Sequence, residues 1–169
     1  MLSLKILQGK FYKLKIVIRR MKKENRKEIL YIIISVFIFA YLLNFLWESY
    51  HSIYLYTCCK EMNSVSHIKL ITYVSFIDSL IILGIYLAIS VFWRDYSWIY
   101  KIKKEQIYTF IILGLIVALI IEYKAVYLFH QWSYSDLMPT IFGIGLSPLI
   151  QLGITGIIDI LLTRRLLYK

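Results

Sequence analysis

Three carboxylic acids lie within or at the end of long apolar runs of this chain. Glu48, Asp78 and Glu122 each belong to a different run. An ionisable group inside a membrane span costs about 2.5 to 3.5 kcal/mol on insertion scales, so such groups usually face the interior of a helix bundle and mark a site. A protonated acid beside an ionised one is the arrangement that general acid-base chemistry uses. We therefore predict Glu48, Asp78 and Glu122 as catalytic residues of one shared pocket.

Further polar residues accompany these acids at helical spacing. Tyr41, Asn44, Glu48 and His51 follow steps of three, four and three, which places them on one helix face if the helix continues past Trp47. The last apolar run carries a second polar row at steps of four. These rows and the aromatic residues that follow the third run predict five ligand-binding residues around the acids: Asn44, His51, Trp132, Ser147 and Gln151.

The same acids would also fit a purely structural role or a metal site. A structural network that pairs them with His51, Gln151, Lys124 or tyrosines accounts for them without any ligand. Glu48 and His51 also form E-x-x-H, which is half of the ligand pattern of di-iron bundles, but the chain has no second copy. We therefore predict no metal and no cofactor. The adjacent Cys58 and Cys59 exclude a C-x-x-C redox centre.

The composition excludes a water-soluble domain. Of 169 residues, 60% are hydrophobic and only 18% are charged, with a mean hydropathy of +0.68. The formal net charge is +10, and the cations stand in blocks beside apolar runs rather than among polar residues. That distribution favours anionic lipid as a partner over nucleic acid.

Four apolar runs are long enough to cross a hydrocarbon core of about 30 Å, which needs about 20 helical residues. They predict an all-α bundle of four transmembrane helices, over residues 29–47, 70–93, 107–129 and 138–162. The fourth run contains Gly143, Gly145 and Pro148, which together indicate a locally broken helix beside a polar cavity.

Positive charge predicts the orientation of the bundle. Of the 20 Lys and Arg, 17 precede the first run, follow the fourth or separate the second from the third. By the positive-inside rule we expect a multi-pass protein of the plasma membrane with both termini cytoplasmic. The pocket would then open toward the outer leaflet. Residues 1–28 repeat apolar side chains at steps of three and four among many cations, which predicts an amphipathic helix on anionic lipid of the cytoplasmic leaflet.

Several strings of this chain resemble a family of small bacterial and archaeal four-span membrane proteins to which no function is assigned. They are LNFLWE, which begins at Leu43, then Asp78 with its apolar run, IEY around Glu122, WSY with the following Met138-Pro139, and GIGLSPLIQ, which ends at Gln151. The resemblance covers about residues 43–151 and implies four spans without implying an activity. A looser likeness, in helix number and polar residue types only, is to the four-helix sterol isomerase and sigma-2 receptor group.

Two classes of function follow from these residues. In the first, the acids hydrogen-bond or exchange protons with a hydrophobic ligand, lipid or isoprenoid-like, held between the helices. In the second, a polar row from Glu48 through Gln151 to Asp159 lines the route of a small transporter or channel component. An assembly subunit of a membrane complex would need no pocket. A homo-oligomer fits each of these.

Overall fold

The computed structural model describes residues 26–57 and 62–168. Four long helices dominate it: α1 (Arg26–Tyr54), α2 (Ser64–Trp93), α3 (Lys104–Tyr123) and α4 (Leu146–Leu167). All four are long and apolar enough to span a membrane. The predicted all-α bundle of four transmembrane helices is therefore confirmed, and the chain is a multi-pass membrane protein. Most of the predicted amphipathic segment, residues 1–25, lies outside the described residues, as do Cys58 and Cys59.

The four helices form a ring in which three neighbouring pairs pack closely and the fourth pair packs weakly. α1 packs against α2 on one side and against α4 on the other, and α3 packs against α4. α2 and α3 touch each other much less than these pairs do. We call this weakly packed boundary the α2/α3 seam.

Glycines bring α3 and α4 close together. Gly114 of α3 faces Gly153 of α4, and a Cβ added to Gly114 would lie 3.3 Å from the backbone nitrogen of Gly153. Gly156, one turn further along α4, leaves room for the ring of Phe110. Small residues at such positions let two helix backbones approach, which is how membrane helices gain packing energy.

One end of the bundle, which we call the base end, carries the loop of residues 94–103. Trp98 in the short 3₁₀-helix of that loop (Trp98–Tyr100) is fully buried and stacks on Tyr86 of α2, with ring centroids 5.0 Å apart. Its indole nitrogen donates to the Ser90 hydroxyl at 3.1 Å. A buried indole N–H needs such a partner, so this loop is fixed beneath the helices.

The opposite end, which we call the roof end, carries the segments 55–57 and 124–145. Tyr56 and Tyr134 pair through an antiparallel β-bridge, and the Thr57 N–H donates to the Ser133 carbonyl at 3.0 Å. The two segments thereby hold each other across the top of the bundle. α3 enters its segment through one π-helical turn, Lys124–Leu128.

The fourth helix begins eight residues later than the sequence predicts. Residues 138–145 do not continue it, because Thr140–Ile141 pairs antiparallel with Ile144–Gly145 in a short hairpin. Phe142 and Gly143 at its tip have φ of 52° and 76°. Two consecutive positive φ angles give a type I′ turn, whose twist suits a two-residue hairpin and is incompatible with a helix.

Pro148 does not break a helix, contrary to the prediction of a locally broken span. It is the third residue of α4, where the missing N–H would have no acceptor within the helix in any case. The remaining boundaries differ from the predicted spans at both ends of the bundle. At the base end α1 begins at Arg26, α3 begins at Lys104 and α4 ends at Leu167, and at the roof end the α-helical part of α3 stops at Tyr123. α1 continues past residue 47 to Tyr54, as the polar row required, and α2 begins at Ser64, where the Asn63 side chain accepts from the Ser66 N–H at 2.9 Å.

The α3/α4 contact can be tested with glycine substitutions. We expect Gly114→Val to lower the unfolding free energy by about 1 to 3 kcal/mol, because overpacking forces the backbones apart. Gly84→Val is the matched control, since a Cβ there meets nothing within 4 Å. The measurement is the thermal unfolding midpoint in neutral detergent. Equal midpoints for the two variants would contradict the close contact.

Candidate functional site

The side-chain amide of Gln151 joins three helices. Its nitrogen lies 2.7 Å from a Glu48 oxygen of α1, 3.0 Å from an Asp78 oxygen of α2 and 3.1 Å from the Asn44 carbonyl oxygen of α1. An amide nitrogen carries two hydrogens, so these three acceptors compete for two donors. Two acids from different helices therefore share one donor group supplied by α4.

Helical spacing places these groups as predicted for α1. Asn44, Glu48 and His51 are all buried on one face, whereas Tyr41 at the start of that row is half-buried and lies against Phe45. On α4, Thr155 lies one turn toward the base end from Gln151, and its hydroxyl lies 3.3 Å from the Asn44 oxygen. The contact between Thr155 and Asn44 forms a floor beneath the acid pair.

Glu122 has a different environment from the other two acids. Tyr56 donates to one carboxylate oxygen at 3.0 Å, while Trp132 at 3.3 Å and Tyr134 donate to the other. These donors come from both roof segments. Glu122 is buried, and its three hydrogen bonds tie the roof to α3. Since a carboxylate accepts up to about four hydrogen bonds, most of its capacity is used within the protein.

A cavity of about 120 Å³ lies between the acids and beneath the roof. The predicted acids and amide all line it: Glu48, Asp78, Glu122 and Gln151. The other polar lining consists of Ser52, Tyr56 and Trp132. The apolar lining consists of Leu70, Ile71, Val74, Ala118, Ile121, Pro148 and Leu152. The lining of the cavity thus combines three acidic groups with seven apolar side chains.

The cavity borders the α2/α3 seam. Leu70 and Val74 of α2 are half-buried and Ile121 of α3 is 37% exposed, and all three also line the cavity. Toward the base end it stops at Gln151, since Asn44 and Thr155 below it line no part of the cavity. It is therefore closed toward the base and bounded by lipid-facing side chains at the seam.

The remaining predicted ligand-binding residues differ in their position relative to the cavity. Trp132 lines the cavity, and Asn44 supports it through Gln151. His51 lies behind Glu48, with its Nδ1 3.9 Å from a Glu48 oxygen and its ring 4.8 Å from the Tyr56 ring centre. Ser147 is half-buried and does not line the cavity, because α4 turns the neighbouring Pro148 inward instead. The structure thus gathers the predicted set except for Ser147.

Two features of the site have no signal in the sequence. Tyr56 and Tyr134 are 78 positions apart, and only the pairing of the two roof segments brings both hydroxyls to Glu122. Ser52 lies 2.8 Å from His67 Nε2, across the connection between α1 and α2. Tyr56 and Tyr134 lie in the roof segments, which lack helical periodicity, and Ser52 and His67 lie on two different helices. Spacing within one apolar run could not have found either pair.

Asp159 does not belong to this site. It is completely buried near the base end, where the Thr163 hydroxyl donates to one of its oxygens at 3.1 Å. The other oxygen has no partner among the described residues. Since the cavity stops at Gln151, the polar row from Glu48 to Asp159 is not a continuous lined route in this structure.

The site lacks fixed positive charge. Among residues 26–57 and 62–168, no Lys or Arg forms an ion pair with the three acids, and the one basic side chain found beside them is His51, whose Nδ1 lies 3.9 Å from a Glu48 oxygen. No group of three His, Cys, Asp or Glu side chains in these ranges is arranged to hold a metal ion.

Comparison with family models, curated proteins and solved structures finds no match to this chain. The chemistry of the site therefore follows from its own geometry. The cavity contains acceptors in excess of donors, since Tyr56, Trp132 and Tyr134 all donate to Glu122 and Gln151 donates to the acid pair. An occupant that donates hydrogen bonds or protons fits this site.

The anchoring role of Glu122 predicts a stability effect. Glu122→Gln places an amide N–H group against three donors, so we expect the unfolding free energy to fall by about 1 to 3 kcal/mol. Glu105→Gln, an exposed position in the first turn of the same helix, is the matched control. Thermal midpoints in neutral detergent measure the difference. An unchanged midpoint for Glu122→Gln would show that the roof does not depend on this acid.

The roof also predicts a pH effect. Burial raises the pKa of Tyr56 above its usual value of 10.0, and the negative charge of Glu122 raises it further. Burial and the hydrogen bond to Glu122 raise the pKa of Tyr134 in the same direction. A raised pKa in the folded state gives stability that is complete below the unfolded value of 10.0 and is lost as pH rises toward the folded value.

We therefore expect the thermal midpoint of the protein to fall as pH increases beyond about 10. Tyr56→Phe removes one of these groups and should make the fall shallower. Tyr50→Phe, which alters an exposed tyrosine away from Glu122, should leave the slope unchanged. A wild-type midpoint independent of pH between neutral pH and about pH 11 would contradict the buried phenol network.

Proposed function

We propose that this protein binds a hydrophobic ligand with a polar head group in the cavity beneath the roof, and that Glu48 and Asp78 hydrogen-bond or exchange protons with that head group. The observation that carries the proposal is the convergence of three acids on one cavity that has apolar walls. Association of four helices does not require three acids around one cavity. Burial of an acid in the membrane is costly, so such an acid is expected to bind a ligand or to pair with another group.

The α2/α3 seam supports access from lipid. The apolar wall formed by Leu70, Val74 and Ile121 lies between the acids and the surface that would face hydrocarbon. A ligand with an apolar tail can place its head beside the acids while the tail stays among these side chains. A polar solute arriving from water would gain nothing from such a wall, because burial of apolar surface is the main attraction it offers.

The roles of the acids differ in this proposal. Glu48 and Asp78 share the Gln151 amide, so a ligand group can compete for their remaining acceptor positions. They are the pair suited to acid-base chemistry on a bound ligand, because two neighbouring carboxyl groups do not ionise independently. Glu122 holds Tyr56, Trp132 and Tyr134 over the cavity, and its contribution is to position the roof.

Charge supports the roof end as the outer end of the bundle. The described Lys and Arg at the base end include Arg94, Lys101 and Arg164, whereas Lys69 and Lys124 lie toward the roof. Under the positive-inside rule the termini are then cytoplasmic and the cavity serves the outer leaflet of the plasma membrane. Anionic lipid of the cytoplasmic leaflet would be the partner of the base end.

The closed floor favours binding over transport. Toward the base end the lining of the cavity ends at Gln151. Asn44 and Thr155, which contact each other below it, do not line the cavity, and neither does the next acid, Asp159. A channel component would need a polar route past this point. We therefore prefer a binding or ligand-transforming protein to a transporter, and an assembly subunit would leave the cavity unexplained.

A brominated dodecanol tests the proposal, because bromine quenches tryptophan and Trp132 lines the cavity. We expect saturable quenching of the full-length protein in neutral detergent, with the saturable part absent from Trp132→Phe. Val74→Phe fills the wall and should weaken this binding by about tenfold or more. Tyr73→Phe, an exposed neighbour that does not line the cavity, should bind as the wild type does.

Quenching that never saturates, or that is identical in Val74→Phe and the wild type, would contradict a ligand site at this place. Thermal midpoints of both variants accompany the titration, so that a loss of binding is attributed to the filled wall only when the fold is retained.

A further inference from the structure

We propose that the head group bound in this cavity is a primary ammonium, carried on a single apolar chain. This inference rests on the proposed function and narrows it to one chemical class. Its basis is the imbalance of charge and of hydrogen-bonding groups around a cavity that has apolar walls and borders the α2/α3 seam.

Charge around the cavity is unbalanced. Glu48, Asp78 and Glu122 line one cavity of about 120 Å³, and no Lys or Arg of residues 26–57 and 62–168 pairs with them. Lys124 is near Glu122 in the chain but is exposed on another side of the helix. Coulomb attraction at low dielectric constant is strong, so a cationic occupant is favoured over a neutral one and an anion is strongly disfavoured.

The balance of hydrogen-bond donors and acceptors around the cavity narrows the choice of cationic head group. Hydrogen bonds from Gln151 reach one oxygen each of Glu48 and Asp78, and no hydrogen bond to the second oxygen of either lining residue is found among the described residues. The donors of the roof are committed to Glu122. A primary ammonium brings three N–H donors on one small charged group. A quaternary ammonium has the charge but no donor, so it would leave these acceptors unsatisfied.

His51 does not satisfy these acids either, since it lies behind Glu48 and does not line the cavity. It is 2% exposed, and neither of its ring nitrogens has a hydrogen-bond partner among the described residues. Its Nδ1 faces the Glu48 oxygen at 3.9 Å, which is too long for a hydrogen bond. An unpaired buried polar group costs about 1 to 3 kcal/mol. Glu48 Oε1 accepts from Gln151 and not from His51, so His51 adds no hydrogen-bond donor to the acids of the cavity.

The volume of the cavity and its apolar lining indicate the shape of the rest of the ligand. An engineered apolar cavity of about 150 Å³ holds one benzene molecule, so the present cavity holds a head group and its first few carbons. The remaining chain must leave along Val74 and Ile121 at the α2/α3 seam. A phosphate beside the ammonium, as in a zwitterionic phospholipid, would bring negative charge against three acids. A single-chain amine avoids that repulsion.

The test is competition against the brominated dodecanol by four probes that share one chain: dodecylamine, dodecyltrimethylammonium, dodecanol and dodecanoate. The full-length protein is used in neutral detergent, and displacement is measured as recovery of Trp132 fluorescence. We expect dodecylamine to displace the brominated alcohol at about tenfold lower concentration than dodecanol. Dodecyltrimethylammonium should require about tenfold higher concentration than dodecylamine for the same displacement. Dodecanoate should be the weakest competitor.

Asp78→Asn should abolish the preference for the amine while dodecanol still binds. Asp159→Asn is the matched control, because Asp159 is a buried acid outside the cavity and its loss should leave the preference intact. If Asp78→Asn does not fold, Glu48→Gln provides the same comparison from α1.

Each outcome separates the two proposals. Equal displacement by dodecylamine and dodecanol would overturn the ammonium inference and leave the hydrophobic site standing. Equal displacement by dodecylamine and dodecyltrimethylammonium would overturn the role of the N–H donors. Absence of any saturable binding of the brominated dodecanol would overturn the proposed function itself.

Discussion

The amide of Gln151 connects α4 to α1 and α2 through polar contacts in the middle of an otherwise apolar bundle. In hydrocarbon a polar group without a partner is costly, and each interhelical hydrogen bond contributes about 0.6 to 2 kcal/mol. Glu48 and Asp78 can lie inside the bundle because this donor is available. The position of α4 relative to the first two helices therefore determines whether the acids meet or point into lipid.

Glu122 solves the same physical problem in a different way. No hydrogen bond from the Gln151 amide nitrogen to α3 is found among the described residues, and the acid of α3 is satisfied by three donors from the roof segments. The roof is thus part of the bundle rather than a pair of loose connections, since Tyr56 follows α1 and Tyr134 precedes α4. The short hairpin of Thr140–Ile141 and Ile144–Gly145 then delivers the chain to the first turn of α4.

The cavity results from unequal packing around the ring. Gly114 and Gly153 draw α3 tightly onto α4, and α1 packs closely on α2. The remaining pair, α2 and α3, separates at the roof end, where polar side chains occupy positions that apolar ones would otherwise fill. Asp159 shows the contrast: it is completely buried, accepts from Thr163 and does not line this cavity. The cavity lies where acids meet the weakly packed α2/α3 seam.

Sequence alone was enough to predict the class of the protein, its four spans and the face of α1 that carries Asn44, Glu48 and His51. Hydropathy and helical periodicity are local properties, and local properties can be read from a string of residues. Hydropathy and periodicity misplaced the start of α4, because an apolar run with glycines is compatible both with a membrane helix and with a type I′ hairpin. The positive φ angles of Phe142 and Gly143 show that this segment is a hairpin.

The structure decided what periodicity leaves open, namely which neighbours each polar group faces across the bundle. Helix rotation and the pairing of two distant roof segments gave Glu122 three donors, left Glu48 and Asp78 facing a cavity, and turned Pro148 inward in place of Ser147. These contacts join residues up to about a hundred positions apart, and their formation depends on the packing of all four helices together.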